Sequence, residues 1–176
     1  MHSGAMPRVL LRLVGTVVLA AAVWATASCS VASGGAIALG LDTSGQPVAY
    51  VQMCEGGIDG LTVYESTGVG ASRTLGEWEA PGRVSTSATV PLATPPAGWT
   101  VQHPLAGLDP ATSYHVYGWT NDNSWSATGP DFTLADLDAL DPGQVTWWNG
   151  DWGKDGRHPT NAVTTLAEFQ NHACDE

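Results

Sequence analysis

Between residues 36 and 134 short apolar runs recur, each four to seven residues long, with glycine, proline, aspartate and asparagine in the stretches between them. They are AIALGL (36–41), VAYVQM (48–53), LTVYES (61–66), TLGEWEA (74–80), SATVPL (87–92), WTVQ (99–102), YHVYGWT (114–120) and DFTL (131–134). Runs of this length, carrying Val, Thr, Tyr and Trp between turn residues, predict strands. Many short strands without intervening helices point to an antiparallel sandwich or barrel and away from a parallel sheet with helical crossovers.

One stretch makes the expectation sharper. In GLDPATSYHVYGWT, Leu108-Asp109-Pro110 is followed four residues after the proline by Tyr114 and then Val116. This resembles the L-x-P-x-x-x-Y-x-V signature of fibronectin type III and related immunoglobulin-like sandwiches. The resemblance implies that the chain crosses here from one sheet to the other, with Leu108 closing one end of the core and Pro110 fixing the turn at its restricted φ. It also implies a tyrosine corner, in which the Tyr114 ring is buried and its hydroxyl bonds backbone a few residues upstream. Strand periodicity then directs Tyr114, Val116 and Gly118 inward and His115, Tyr117 and Trp119 outward. Residues 121–124 read as a turn and residues 125–134 as the returning strand.

Beyond Leu134 the pattern changes. Residues 135–140 (ADLDAL) suggest a helical turn, Asp141-Pro142-Gly143 breaks it, and residues 144–148 read as another strand. In NAVTTLAEFQNHA the apolar positions 162, 163, 166, 167, 169 and 173 have helical spacing, so a helix is expected from about residue 160 onward. The expected organisation is a leader over 1–28, a small-residue tether over 29–35, a sandwich over 36–150, and a C-terminal loop and helix over 151–176 docked on it.

Two arginines, Arg8 and Arg12, precede the uncharged run LVGTVVLAAAVWA (13–25), which is short for a bilayer span and suits a targeting segment. Small residues then lead directly into Cys29. This resembles the lipobox of bacterial lipoproteins and implies that Cys29 is lipidated and becomes the mature N-terminus, holding the protein at a membrane surface. An ordinary secretory peptide cut after Ala27 is the alternative. The stretches CEGGIDGLTVYES and FTLADLDALDPGQV are similar to exported proteins of GC-rich Gram-positive bacteria, which implies a compartment and a fold and no activity.

With Cys29 assigned to lipid, Cys54 and Cys174 remain, and in an exported chain the simplest assignment joins them. Two separate buried thiols are the alternative. Without Arg8 and Arg12, four basic residues face 17 acidic ones, a surface that repels phosphate backbones and excludes nucleic acid as a partner.

Residues that would carry chemistry are scattered. His103, His115, His158 and His172 have no metal-site spacing and read as solvated surface histidines. No G-x-S-x-G elbow is present, and the pairs Asp136/Asp138 and Glu77/Glu79 read as solvating carboxylates on strand faces. Asp151 begins a loop with Asp and Gly at EF-hand positions 1, 5 and 6, but Gly153 and Ala162 stand where two further ligands belong. No catalytic residue, metal ligand or cofactor is therefore expected.

Seven tryptophans remain after the leader, more than one sandwich core uses. Trp147, Trp148 and Trp152 surround a Gly-Asn-Asp loop, the kind of indole and amide grouping that stacks on sugar rings and bonds their hydroxyls. The competing reading is that the C-terminal helix packs on them. The chain thus reads as a lipid-anchored, extracytoplasmic, non-catalytic binding or structural module, facing a cell-wall glycan or another surface protein. The alternatives are a carbohydrate-binding surface module and a small extracytoplasmic hydrolase.

Overall fold

The computed structural model describes residues 30–66, 72–152 and 159–175, with backbone only at 152 and 159. The fold is mainly β. Its elements in chain order are strands β1 (Ala32–Leu41), β2 (Pro47–Met53), β3 (Ile58–Glu65), β4 (Thr74–Val84), β5 (Ser87–Pro91), β6 (Thr100–His103), β7 (Tyr114–Trp119) and β8 (Trp125–Phe132), helix α1 (Leu134–Asp138), strands β9 (Gln144–Trp152) and β10 (Pro159–Thr165), and helix α2 (Leu166–His172). All ten strands belong to one curled sheet of mixed orientation.

β1 is where the curl is made. One of its edges pairs with β2 along residues 35–41. The other edge changes partner: its first half runs parallel to β8 through Ala36, and from Ala38 to Gly40 it runs antiparallel to β9. Two antiparallel groups result, β5-β2-β1-β9-β10 and β6-β4-β3-β7-β8, joined through β1. The sheet folds back so that both groups supply one core, with Ile37, Leu39, Val51 and Val90 from the first meeting Leu61, Val63, Trp78, Val116 and Phe132 from the second. Trp78, fully buried on β4, is the largest side chain in it.

The helical reading of residues 160–173 is half wrong. Residues 159–165 form edge strand β10 against β9, with Ala162 opposite Trp147 and Thr165 opposite Gln144. Val163, Thr164 and Thr165 are β-branched and fit a pleated edge better than a helix interior. The helix starts at Leu166, where Thr165 and Glu168 form a reciprocal capping box. The apparent helical period came from joining two apolar strand positions to the true helical set, Leu166, Phe169 and Ala173.

The tether reading also fails past Val31. Residues 32–35 are already strand, and the glycines there are close-approach positions: a Cβ on Gly34 would lie 2.5 Å from the Glu55 carbonyl oxygen and 2.6 Å from the Trp125 ring. Strand β9 likewise continues to Trp152, four residues beyond its expected end. The expected leader over 1–28 and Cys29 lie outside the described residues, as does His158.

α2 covers the face of the sheet opposite the main core. Phe169, fully buried, sits with Ala36, Ala38 and Val145, and Tyr50, Trp147 and Leu166 close the cluster around it. Just past the helix, Cys174 is bonded to Cys54 at the end of β2, with 5.5 Å between the Cα atoms.

Candidate functional site

Three places bring chemistry-bearing side chains together. The first is the turn into β7. Tyr114 is 1% exposed and its ring tilts against Phe132 with centroids 5.6 Å apart. Its hydroxyl accepts from the Asp109 backbone N–H at 2.5 Å and donates to the Asp109 carbonyl at 3.1 Å. Leu108 packs on the core beside it, and Pro110 lies exposed at the turn. Burial along β7 alternates as the period-two pattern requires, with Tyr114, Val116 and Gly118 buried and the three residues between them half-buried. This grouping is architectural: it ties the incoming turn to β7.

The second is a polar cluster on the opposite face of β3, β7 and β8. His115 is not a solvated surface histidine: it is half-buried, its Nδ1 lies 2.9 Å from Asp131 Oδ1, and Tyr64 packs beside its ring with centroids 5.2 Å apart. The register explains the meeting, because His115 stands directly opposite Asp131 on β8 and Tyr64 on β3. The His115 ring holds the Asp131 carboxyl below the usual carboxylate range, partly opposed by burial and helped by the Ser66 hydroxyl. Asn161 on β10 donates to the Asp131 carbonyl, fastening the C-terminal hairpin to β8. An Asp–His pair can orient an imidazole for base catalysis, which also requires a nucleophile at the other ring nitrogen. Among the described residues none is hydrogen-bonded there. Sequence reading missed this cluster because its members are far apart in the chain and meet only through strand register.

The third is a crevice where β1 changes partners. β8 and β9 diverge from the shared edge at Ala36 and Ile37, leaving a cavity of about 240 Å³ walled by Thr128 on one side and by Trp147, Trp148 and Asn149 on the other. Ser33 contributes a hydroxyl to its floor, 3.3 Å from the Thr128 hydroxyl. The end of α2 and the residues after it close it, with His172 Nδ1 2.7 Å from Asp175. Ser33, Gly35, Ala173 and Asp175 also line a second cavity of about 640 Å³ beside the disulfide, so the two adjoin.

Trp147 and Trp148 divide as neighbours on a strand must. Trp147 lies against Phe169 of α2, edge-on with centroids 5.3 Å apart, so the helix does pack on one of the indoles. Its Nε1–H is buried and has no hydrogen-bond partner among the described residues. Trp148 is half-buried on the other face and donates to the Asp151 carbonyl at 3.0 Å. Trp152 ends β9 opposite Pro159, and its side chain lies outside the described residues. The other tryptophans serve packing: Trp119 donates to the Thr62 hydroxyl, and Trp125 lies over Gly56, where a Cβ would be 2.3 Å from the ring.

The acidic pairs differ from one another. Glu77 and Glu79 share a half-buried face of β4, with Glu79 accepting from Gln102 at 2.7 Å. Asp136 and Asp138 lie on α1 and not on a strand, and Asp136 forms the capping box with Thr133. No group of three metal-ligating side chains occurs among the described residues. No protein-family model matches the sequence, and no curated protein or solved structure matches it.

Proposed function

We propose that the chain is an exported, non-catalytic surface module: an immunoglobulin-like β-sandwich held at a membrane by lipid on Cys29. The observation that carries the export reading is the bond between Cys54 and Cys174, because such cross-links persist in oxidising compartments and are rare in the cytosol. The sandwich reading is supported by the two antiparallel strand groups sharing one core, by the parallel contact of β1 with β8, and by the hydroxyl of Tyr114 on the backbone of Asp109. The anchor is tested by Cys29→Ser. The variant is expected in the medium, while the unaltered protein fractionates with membranes and carries a mass increment of acyl chains. A wild-type protein that is recovered unlipidated with Ser28 at its N-terminus overturns the anchor.

A second reading, a small extracytoplasmic hydrolase, draws on the His115–Asp131 pair. In that case turnover of generic ester, peptide or glycoside substrates would be abolished by His115→Ala. Absence of any turnover across those substrates favours the non-catalytic module.

A further inference from the structure

We propose that the crevice between β8 and β9 is a saccharide site taking a neutral sugar ring, with the adjoining cavity beside the disulfide receiving the next ring of a longer glycan. The ligand class rests on the reading of the chain as an exported binding module. The location rests on the fold alone: two strands leaving one edge of β1 in different directions must open a gap, and side chains of the described residues do not fill it.

The wall chemistry selects the ligand. Trp147 and Trp148, whose side chains leave opposite faces of β9, both line the crevice and contribute aromatic surface to it, suited to the C–H face of a sugar ring. The hydroxyls of Ser33 and Thr128 and the amide of Asn149 complete the lining, groups that exchange hydrogen bonds with ring hydroxyls at no charge cost. The charged side chains lining the two cavities are the acids Glu55 and Asp175 with His172, and neither Lys nor Arg lines them, so an anionic ligand is disfavoured. Aromatic walls with a few convergent polar groups are the usual make-up of a small-molecule pocket. The smaller cavity lies just under the ordinary volume range for drug-sized ligands and fits a single ring. The buried Trp147 Nε1–H, lacking a partner among the described residues, is a donor whose environment an occupant of the crevice would change.

The test uses the mature protein, isotope-labelled on nitrogen, titrated with free galactose, mannose, arabinose and N-acetylglucosamine and with short oligomers of each. At least one sugar is expected to shift the Trp147 indole N–H resonance saturably, with its oligomer binding more tightly than the single ring. Trp148→Ala should weaken that binding by about tenfold, the loss of one aromatic stacking contact. Thr128→Val, which keeps the strand shape and removes one hydroxyl, should weaken it several-fold with an unchanged melting temperature. No saturable shift up to about 50 mM, beyond the millimolar range of weak specific binding, overturns the proposal. So does a shift that both variants leave intact, which would place the sugar elsewhere. Fractionation and intact mass of the wild-type protein are scored separately, so a wild-type protein that is soluble and unlipidated yet binds sugar would sink the anchor alone.

Discussion

Tyr114 shows how far a single residue constrains the chain. Its ring occupies the core while its hydroxyl satisfies both backbone groups of Asp109, which joins the incoming turn to β7. Tyr114→Phe keeps the ring and strands both backbone groups, so it is expected to cost about 1–2 kcal/mol in denaturant unfolding; an unchanged midpoint would show that the hydroxyl contributes nothing. Gly34 makes the complementary point. A methyl there would meet the Glu55 backbone and the Trp125 ring, and Gly34→Ala is expected to lose about 1–3 kcal/mol, whereas a glycine in a free tether would tolerate the change. The tyrosine was legible in the sequence because it comes with its own turn. The glycine was not, since Gly34-Gly35 has the same letters in a linker as in a crowded strand.

At the scale of elements, the C-terminal helix depends on its cap. The Thr164 hydroxyl, followed by the backbone N–H and hydroxyl of Thr165, bonds the Glu168 carboxylate and lowers its pKa from 4.5 to about 2. Because the folded value is depressed, this stabilisation is complete above pH 4.5 and is lost as pH falls toward 2. Acid titration of α2 docking, followed through Trp147 emission, should therefore show a loss in that window that Glu168→Gln flattens. Removing the cap oxygen, Thr165→Ala, should weaken docking by about 1 kcal/mol at neutral pH. The threonine followed three residues later by glutamate is a readable start signal, and it places the helix at Leu166. The expected start near residue 160 came from counting apolar positions across the boundary. What turns residues 159–165 into a strand is an edge of β9 waiting to be paired, which no local pattern states.

For the whole molecule, the bond between Cys54 and Cys174 closes a long loop, its ends separated by 120 positions in sequence. The double variant Cys54→Ser/Cys174→Ser is expected to unfold about 4 kcal/mol more easily, by the loop-closure argument. Reduction of the native protein should also red-shift Trp147 emission before the main core melts, since α2 packs on Trp147 from one side and Cys174 follows the helix. Simultaneous loss of both signals would mean that the helix and the core unfold as one unit.

Composition and pattern alone determined a β-rich chain with short strands, which face of β7 is buried, and two cysteines left to pair. These follow from local sterics, from the period of two, and from counting, all of which are properties of neighbouring letters. Tertiary structure decided that β1 divides its edge between β8 and β9, that His115 stands opposite Asp131, and that Trp147 turns to the helix while Trp148 faces away. Those outcomes depend on which strand edges remain unpaired once the others have met, and that competition is settled only when the whole sheet closes.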